Sequence, residues 1–412
     1  MLKWIKIAFR NILKNKRRSF VTLLAISMGF AAVSLFRGYT HSTYSGLRNS
    51  TIRGQGLGHL TIFKKGWIEN GKTDPDKYML GKDEVKKIID IANSEKEVVL
   101  STPELHISGL VTNGLVSAIF MAKGVIPKDE KTIKGTWAAV RTVFGGPLQD
   151  DKPYGVEMAE DLAKHLKFQP KSDAVIMATT LEGQMNALQV EVMGIYNTGV
   201  RATNDKMMRI PFAYAQQLYD TEKADRVVIL LDDWKNTAAL RDRLKTKLKQ
   251  AGLSVEIKTW RELAEFYQRV KGLFDMIFTF IFAIVLVIVV MSVINTMGMA
   301  VVERTREIGT LRALGLKKRG VSFLFALEGT LLGVMGCIAG IGMNIVAWGI
   351  IQYIGPTYIP PGNSAPVPLV VDLVPGVMAL LMVFLVFLSL IAAILPARRA
   401  ARQNIVESLG YV

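Results

Sequence analysis

The sequence predicts an α-helical membrane protein with four transmembrane helices and a large α+β domain inserted between helices 1 and 2. Three observations carry that expectation. Four apolar stretches, near residues 19–36, 276–302, 321–354 and 375–395, approach or exceed the roughly 20 residues that cross a bilayer at a rise of about 1.5 Å each. Residues 39–271, between the first two stretches, have ordinary globular composition. The basic residues are sorted along the chain rather than spread through it.

A net charge of +16 raises the question of nucleic-acid binding, and its distribution argues against it. Lys3, Lys6, Arg10, Lys14, Lys16, Arg17 and Arg18 precede the first stretch with no acid among them. Arg304, Arg306, Arg312, Lys317, Lys318 and Arg319 follow the second, and Arg398, Arg399 and Arg402 follow the fourth. The loop over residues 352–373 has no Lys or Arg. Positive loops stay in the cytoplasm, so both termini and the 303–320 segment are expected inside and the large domain outside. No nucleic-acid partner is expected. The first apolar stretch exceeds a usual signal-peptide core, and Phe36-Arg37-Gly38-Tyr39 is a poor cleavage site, so it reads as a retained anchor.

The expected segments are a basic cytoplasmic N-terminus (1–18), helix 1 (19–38), the extracytoplasmic domain (39–271) and helix 2 with a stalk (272–302). A cytoplasmic segment (303–320), helix 3 (321–354), an outer loop (355–373), helix 4 (374–396) and a cytoplasmic tail (397–412) complete the chain. Cys337, the single cysteine, falls within helix 3. The outer domain therefore has no disulfide and must be held by its own core.

Within that domain, residues 59–63 and 98–102 read as strands around a helix at 83–94, with Val85, Ile88 and Ile89 inward. Asn113-Gly114 between residues 105–112 and 115–123 predicts a hairpin with a two-residue loop. A helix is expected at 155–166 and strands at 174–179 and 189–196. A second βαβ unit follows: strand 226–231, helix 237–251 with Leu240, Leu244 and Leu248 in register, strand 254–258. Two βαβ units bracketing a β-rich insert predict two subdomains. Thr259-Trp260-Arg261-Glu262 matches a capping box, and no proline follows before Pro356. One continuous helix from Trp260 would raise a stalk of about 24 Å before Met276. A hinge at Gly272 is the alternative.

Two strings imitate an ATPase. Gly66-Trp67-Ile68-Glu69-Asn70-Gly71-Lys72-Thr73 fits the phosphate-loop pattern, and residues 227–232 resemble the apolar strand and acid that would hold magnesium. A phosphate loop must open a helix whose amides face the anion, whereas Asp74-Pro75-Asp76 places negative charge there. Leu181-Glu182-Gly183-Gln184 is a still fainter echo. His41, His59, His106 and His165 are scattered singly, and no triad or metal-ligand spacing occurs. No catalytic, cofactor-binding or metal residue is therefore expected.

Gly329, Gly333, Gly336 and Gly340 share one face of helix 3, where another helix of the chain or a second subunit can approach closely. Glu328 lies about two turns inside the same helix, either as a relay of force or protons or as a structural hydrogen-bonding group. In the run from Glu303 to Gly315, Ile308, Leu311 and Leu314 form a narrow apolar stripe flanked by Arg304, Arg306, Glu307 and Arg312, with Gly315 placed to end a helix. The stripe suits a protein groove or a lipid surface, and the mixed charge favours protein.

Asn295-Thr296, the run Glu303-Arg304-Thr305-Arg306-Glu307-Ile308-Gly309, Leu311-Arg312-Ala313-Leu314-Gly315, Glu328 and Pro396-Ala397-Arg398-Arg399-Ala400 together resemble FtsX/MacB-type (type VII) ABC transporter permeases. The resemblance extends over nearly the whole chain. Length and Val192-Met193-Gly194-Ile195-Tyr196-Asn197-Thr198-Gly199 most resemble the lipoprotein-releasing LolC/LolE branch. It implies a non-catalytic, multi-pass subunit of the bacterial inner membrane, with both termini cytoplasmic and an outer domain of Porter and Sabre parts. It further implies a dimer with an identical or a paired permease subunit, two separate subunits that bind ATP and Mg, and a periplasmic or lipid-anchored substrate or adaptor. The 303–315 segment would be the coupling helix. Efflux of peptides or drugs, and regulation of a cell-wall hydrolase, are the competing functions. The tail Asn404-Ile405-Val406-Glu407-Ser408-Leu409 departs from the family's proline-containing end.

Overall fold

The computed structural model describes residues 2–135, 142–360 and 362–409, with the backbone alone at 2, 3 and 409. Position 1 of the expected N-terminus, positions 136–141 of the outer domain, position 361 of the 355–373 loop and positions 410–412 of the tail thus lie outside the described residues. The chain forms two compact units, Met1–Tyr44 with Val270–Pro356 and Pro368–Val412, and Ser45–Arg269 with Thr357–Val367.

The first unit is helical. Among the described residues four helices are long and apolar enough to cross a membrane: Lys16–Gly54, whose last turn Ser50–Gly54 is π-helical, Glu265–Glu303, Lys318–Ile354 and Pro375–Arg402. Each outruns its apolar stretch at one end or both, and the fourth continues through Pro396. Pro375 opens the fourth at a position where its missing N–H costs nothing, and Gly355 ends the third at φ +56°. Val285, Val289, Val293 and Met297 form an i+4 ridge that packs with Ile26, Phe30, Phe325, Leu332 and Leu385.

The glycine face of the third helix is used up inside the chain. A Cβ at Gly329 would lie 2.4 Å from Ala393 Cβ, and one at Gly333 2.9 Å from Ser389 Cβ, both on the fourth helix. At Gly336 it would meet Ile26 Cγ2 at 2.6 Å, and at Gly340 Phe30 Cβ at 2.9 Å, both on the first helix. Of the two alternatives for these residues, the structure shows packing against helices of the same chain.

The second membrane helix begins at Glu265, not at Trp260. The capping box forms, with Glu262 Oε2 accepting from Thr259 N at 2.7 Å and Thr259 Oγ1 from Glu262 N at 3.3 Å. The helix it starts, Trp260–Leu263, stops at Ala264 (ψ 67°). Buried Trp260 packs edge-on against Tyr267 at 5.0 Å, and Gln268 Nε2 donates to the freed Arg261 carbonyl at 2.6 Å. Gly272 bends nothing; Glu265–Glu303 is unbroken, so the helix adds about 16 Å before Met276.

The second unit holds strands β1 (Leu60–Lys64), β2 (Val98–Thr112), β3 (Ser117–Val125), β4 (Thr142–Gly145) and β5 (Gly155–Ala159). It continues with β6 (Asp173–Thr179), β7 (Met185–Tyr196), β8 (Met207–Pro211), β9 (Arg226–Leu231) and β10 (Val255–Thr259). The order β10-β1-β9-β2 is antiparallel throughout, with helix Lys82–Asn93 joining β1 to β2 and helix Thr237–Gln250 joining β9 to β10. These are two interleaved βαβ units, as the sequence predicts. Ile88, Leu240, Leu244 and Leu248 fill their core.

Between them, β2, β3, β8, β5, β7 and β6 close on themselves, since β6 pairs with both β7 and β2. Phe120, Val156, Met158, Ile176, Val192 and Met208 pack inside the ring. Two local expectations change. The helix placed at 155–166 is strand β5 followed by helix Glu160–His165, because residues 155–159 are buried on both faces between β7 and β8. The hairpin loop spans four residues rather than two. Asn113 Oδ1 accepts from Leu115 N and Val116 N, and Thr112 pairs with Ser117. β2 also runs straight through Pro103, so the two strands expected over 98–112 are one.

A buried ionic cluster joins these layers. Lys123 Nζ on β3 lies 2.7 Å from Glu104 and 3.5 Å from Glu130, and donates to the Gly56 carbonyl at 3.5 Å. Arg209 on β8 bridges Glu130 and Glu157. Burial alone would raise the Glu130 carboxyl, but Lys123, Lys134 and Arg209 outweigh it and hold the carboxyl at about 2.

His59 is buried with Nδ1 accepting from Leu231 N at 3.0 Å, and burial, with Arg53 and Arg48 nearby, depresses it to about 4. Its folded pKa lies below the ordinary 6.5, so its contribution is complete above pH 6.5 and is lost as pH falls towards 4. Chemical unfolding of the chain across that window should show about 3 kcal/mol of acid destabilisation from this site. His59→Gln should remove that part of the slope; an unchanged slope would assign it elsewhere.

Candidate functional site: the segment between helices 2 and 3

Helix Glu265–Glu303 ends at Arg304, whose φ of −110° turns the chain into a short helix, Thr305–Ala313. Arg304 Nη1 donates to Glu328 Oε1 at 2.9 Å, and Asn11 Nδ2 donates to the same oxygen at 2.6 Å. Glu328 is buried, so its carboxylate is held by two donors from two other elements. Burial works to lower the Arg304 guanidinium, but Glu328 and Glu307 outweigh it and raise its pKa. The Glu307 carboxyl, pushed up by burial, is brought below its ordinary value by hydrogen bonds from Arg304 and Lys14.

The predicted stripe divides. Residues at i, i+3 and i+6 drift about 60° per step around a helix of 100° per residue. Ile308, 3% exposed, faces the bundle core, whereas Leu311 is 41% and Leu314 80% exposed. Gly315 ends the helix at φ +99°, with Leu316 N donating to Leu311 O at 3.0 Å and Gly315 N to Arg312 O at 3.1 Å. Leu316 then packs on the core.

The carboxylates are spoken for within the chain. Glu303 pairs with Arg18, and Glu307 with Lys14 at 3.2 Å and Arg304 at 3.1 Å. Glu303 and Glu307 stay 40% and 51% exposed in these pairs, so the outer surface of the segment carries both signs, with Arg306, Lys317, Lys318 and Arg319 adding positive charge. Arg312 turns inward and donates to the Gln403 carbonyl, beside helix Ile405–Leu409. Thr296 from the Asn295-Thr296 pair meets Thr22 Oγ1 at 2.5 Å. A cavity of about 20 Å³, roomy enough for one water, lies among Asn15, Ser19, Thr296, Arg304 and Glu328.

The rejected phosphate-loop string offers no anion cradle. Gly66 at φ +87° leads into the four-residue helix Trp67–Asn70, and Asp74 Oδ1 caps the next helix by accepting from Lys77 N at 3.4 Å. Asp232 accepts from Asp233 N in a turn, and Gly183 sits in the β6–β7 turn at φ +89°. Among the described residues no group of His, Cys, Asp and Glu is arranged to hold a metal ion.

Residues 19–247 match the MacB-like periplasmic core domain, and residues 279–405 match the FtsX-like permease C-terminal domain. The chain belongs to the FtsX/MacB-type family of ABC transporter permeases. The lipoprotein-releasing system transmembrane protein LolC of Neisseria meningitidis is 24% identical over 99% of this chain and 98% of its own. The ABC transporter permease YtrF of Bacillus subtilis is 21% identical over 97% of each. The pyoverdine export ATP-binding/permease protein PvdT of Pseudomonas fluorescens is 27% identical over 50% of this chain and 30% of its own. This permease is thus a membrane protein of a class that works with ATP-binding subunits.

Asn11, Lys14, Arg18 and Gln403 escaped the sequence reading of this permease. Asn11 and Lys14 stand on the helix Leu2–Lys14 and Arg18 in the first turn of the next, where the letters show most plainly a run of positive charge. The signal was present as Trp4, Ala8, Asn11 and Ile12, spaced along one helical face.

Proposed function

We propose that this permease receives ATP-driven motion from a separate ATP-binding subunit through residues 303–315, and that it contributes no catalytic residue itself. The supporting observation is the division of that segment. Arg304, bound to Glu328, and Ile308 fix its inner side to the bundle, while Leu311 and Leu314 stand out with Arg306 beside them. A rigidly held helix with an exposed apolar edge transmits a push. The unbroken Glu265–Glu303 helix, which ends where the segment begins and starts shortly after the MacB-like match in sequence, is the path for it.

The basic residues grouped around the N-terminus, residues 304–319 and the tail favour an inner-membrane orientation with both termini cytoplasmic and the MacB-like domain outside. The working unit is a pair of permease subunits with two ATP-binding subunits. The transported class is lipid-anchored protein, supported by the end-to-end likeness to LolC. Export of a smaller substrate is the second reading, favoured by the partial likeness to PvdT.

Leu311→Asp with Leu314→Asp should weaken docking of the ATP-binding subunit about thirtyfold or more, the effect of losing a centre worth about 2 kcal/mol. Membrane insertion and unfolding temperature should stay unchanged. Full docking by the double variant would show that the segment is not the contact. An acylated protein co-purifying from native membranes supports lipoprotein release, whereas a stable adaptor with no acylated cargo overturns it in favour of export.

A further inference from the structure

The Leu2–Lys14 helix has three faces. At 100° per residue, Trp4, Ala8, Asn11 and Ile12 fall on one side, and all four are covered or half-covered by the bundle. Trp4 meets Phe323 edge-on at 6.3 Å, and Asn11 reaches Glu328. Next around the helix come Ile5, Phe9 and Leu13, exposed at 43%, 44% and 47%. Beyond them lie Lys6, Arg10 and Lys14, all exposed, with no acid anywhere in the helix. Only Asn15 separates it from Lys16–Gly54, the first helix able to cross a membrane, so it lies where that helix leaves the bilayer.

We propose that this helix is a docking face for anionic phospholipid headgroups in the leaflet it lies on. Ile5, Phe9 and Leu13 enter the acyl boundary, and Lys6 and Arg10 take the headgroup phosphates one turn apart. The apolar face argues for lipid because Ile5, Phe9 and Leu13 stay exposed on a helix that adjoins the first membrane-length helix. The charge argues for an anionic headgroup: Lys14 pairs with Glu307, but Lys6 and Arg10 make no ion pair among the described residues, and a zwitterionic surface supplies no net charge to meet them. The same helix braces the 303–307 segment through Asn11, Lys14 and Arg18, so a lipid held by Arg10 sits one turn from those contacts.

The test uses the full chain in vesicles of phosphatidylcholine doped with acyl-brominated phosphatidylglycerol or acyl-brominated phosphatidylcholine. The readout is quenching of the emission carried by Trp4, obtained as the difference between the wild type and Trp4→Phe. At about a fivefold preference per basic residue near the surface, two residues give phosphatidylglycerol an advantage of about 25-fold. Lys6→Gln with Arg10→Gln should bring the two quenchers level. Lys86→Gln with Lys87→Gln, on the helix Lys82–Asn93, should leave the preference intact. Equal quenching in the wild type, or a preference that survives Lys6→Gln/Arg10→Gln, overturns the assignment. So does loss of preference in the Lys86/Lys87 control, which would make it an effect of net charge. Absence of Trp4 quenching by either lipid would mean that protein covers the face.

Discussion

Replacing Arg304 with alanine is expected to destabilise the helical unit by about 3–5 kcal/mol. The change leaves Glu328 buried with Asn11 as its remaining donor, and an uncompensated buried charge costs far more than the intact pair contributes. Unfolding in mixed micelles measures it directly. Arg304→Met combined with Glu328→Leu should recover most of the loss, since removing both partners leaves no orphaned charge. If the double variant is as unstable as the single, the residues act separately. A stable double variant that no longer responds to an ATP-binding subunit would separate the two roles of the pair, holding the fold and passing motion.

Lys123→Met should have an effect of similar size in the MacB-like domain. It strips Glu104 and Glu130 of a shared cation at side-chain exposures of 2% and 7%, and it frees the Gly56 carbonyl. A loss of about 3 kcal/mol or more corresponds to at least a hundredfold faster hydrogen exchange across the β2, β3 and β8 amides of the full chain. Exchange within tenfold of wild type would mean that Arg209 and Lys134 hold the cluster without Lys123. Gly56 itself admits no side chain: it sits at φ +73°, and a Cβ there would lie 2.2 Å from Lys123 Nζ.

The elements that sequence made legible are those whose signal is local. The four long helices follow from apolar length. The paired βαβ units follow from the Leu240, Leu244, Leu248 register, and the Thr259–Glu262 cap from its four residues. Where long-range contact decides, the reading failed. Residues 155–159 become a strand because β7 and β8 flank them, and the closed ring depends on β6 reaching back to β2. The segment at 303–315 was found from its charge and stripe. Its inner attachments were not, because Asn11 and Glu328 are 317 positions apart and Arg312 is anchored by a backbone carbonyl, which has no residue type to notice. Glu303 and Glu307 illustrate the limit best. As letters they show no partner, and as atoms they pair with Arg18 and Lys14 while staying open to solvent.

The seam between the third helix and its neighbours has a consequence for how such subunits diverge. Gly329, Gly333, Gly336 and Gly340 pack against Ile26, Ser27, Phe30, Val386, Ser389 and Ala393 of the same polypeptide. A duplicated gene is therefore free to drift at its outward-facing positions and still inherit an intact bundle. Two unlike copies can become obligate mates without either having to renegotiate its interior.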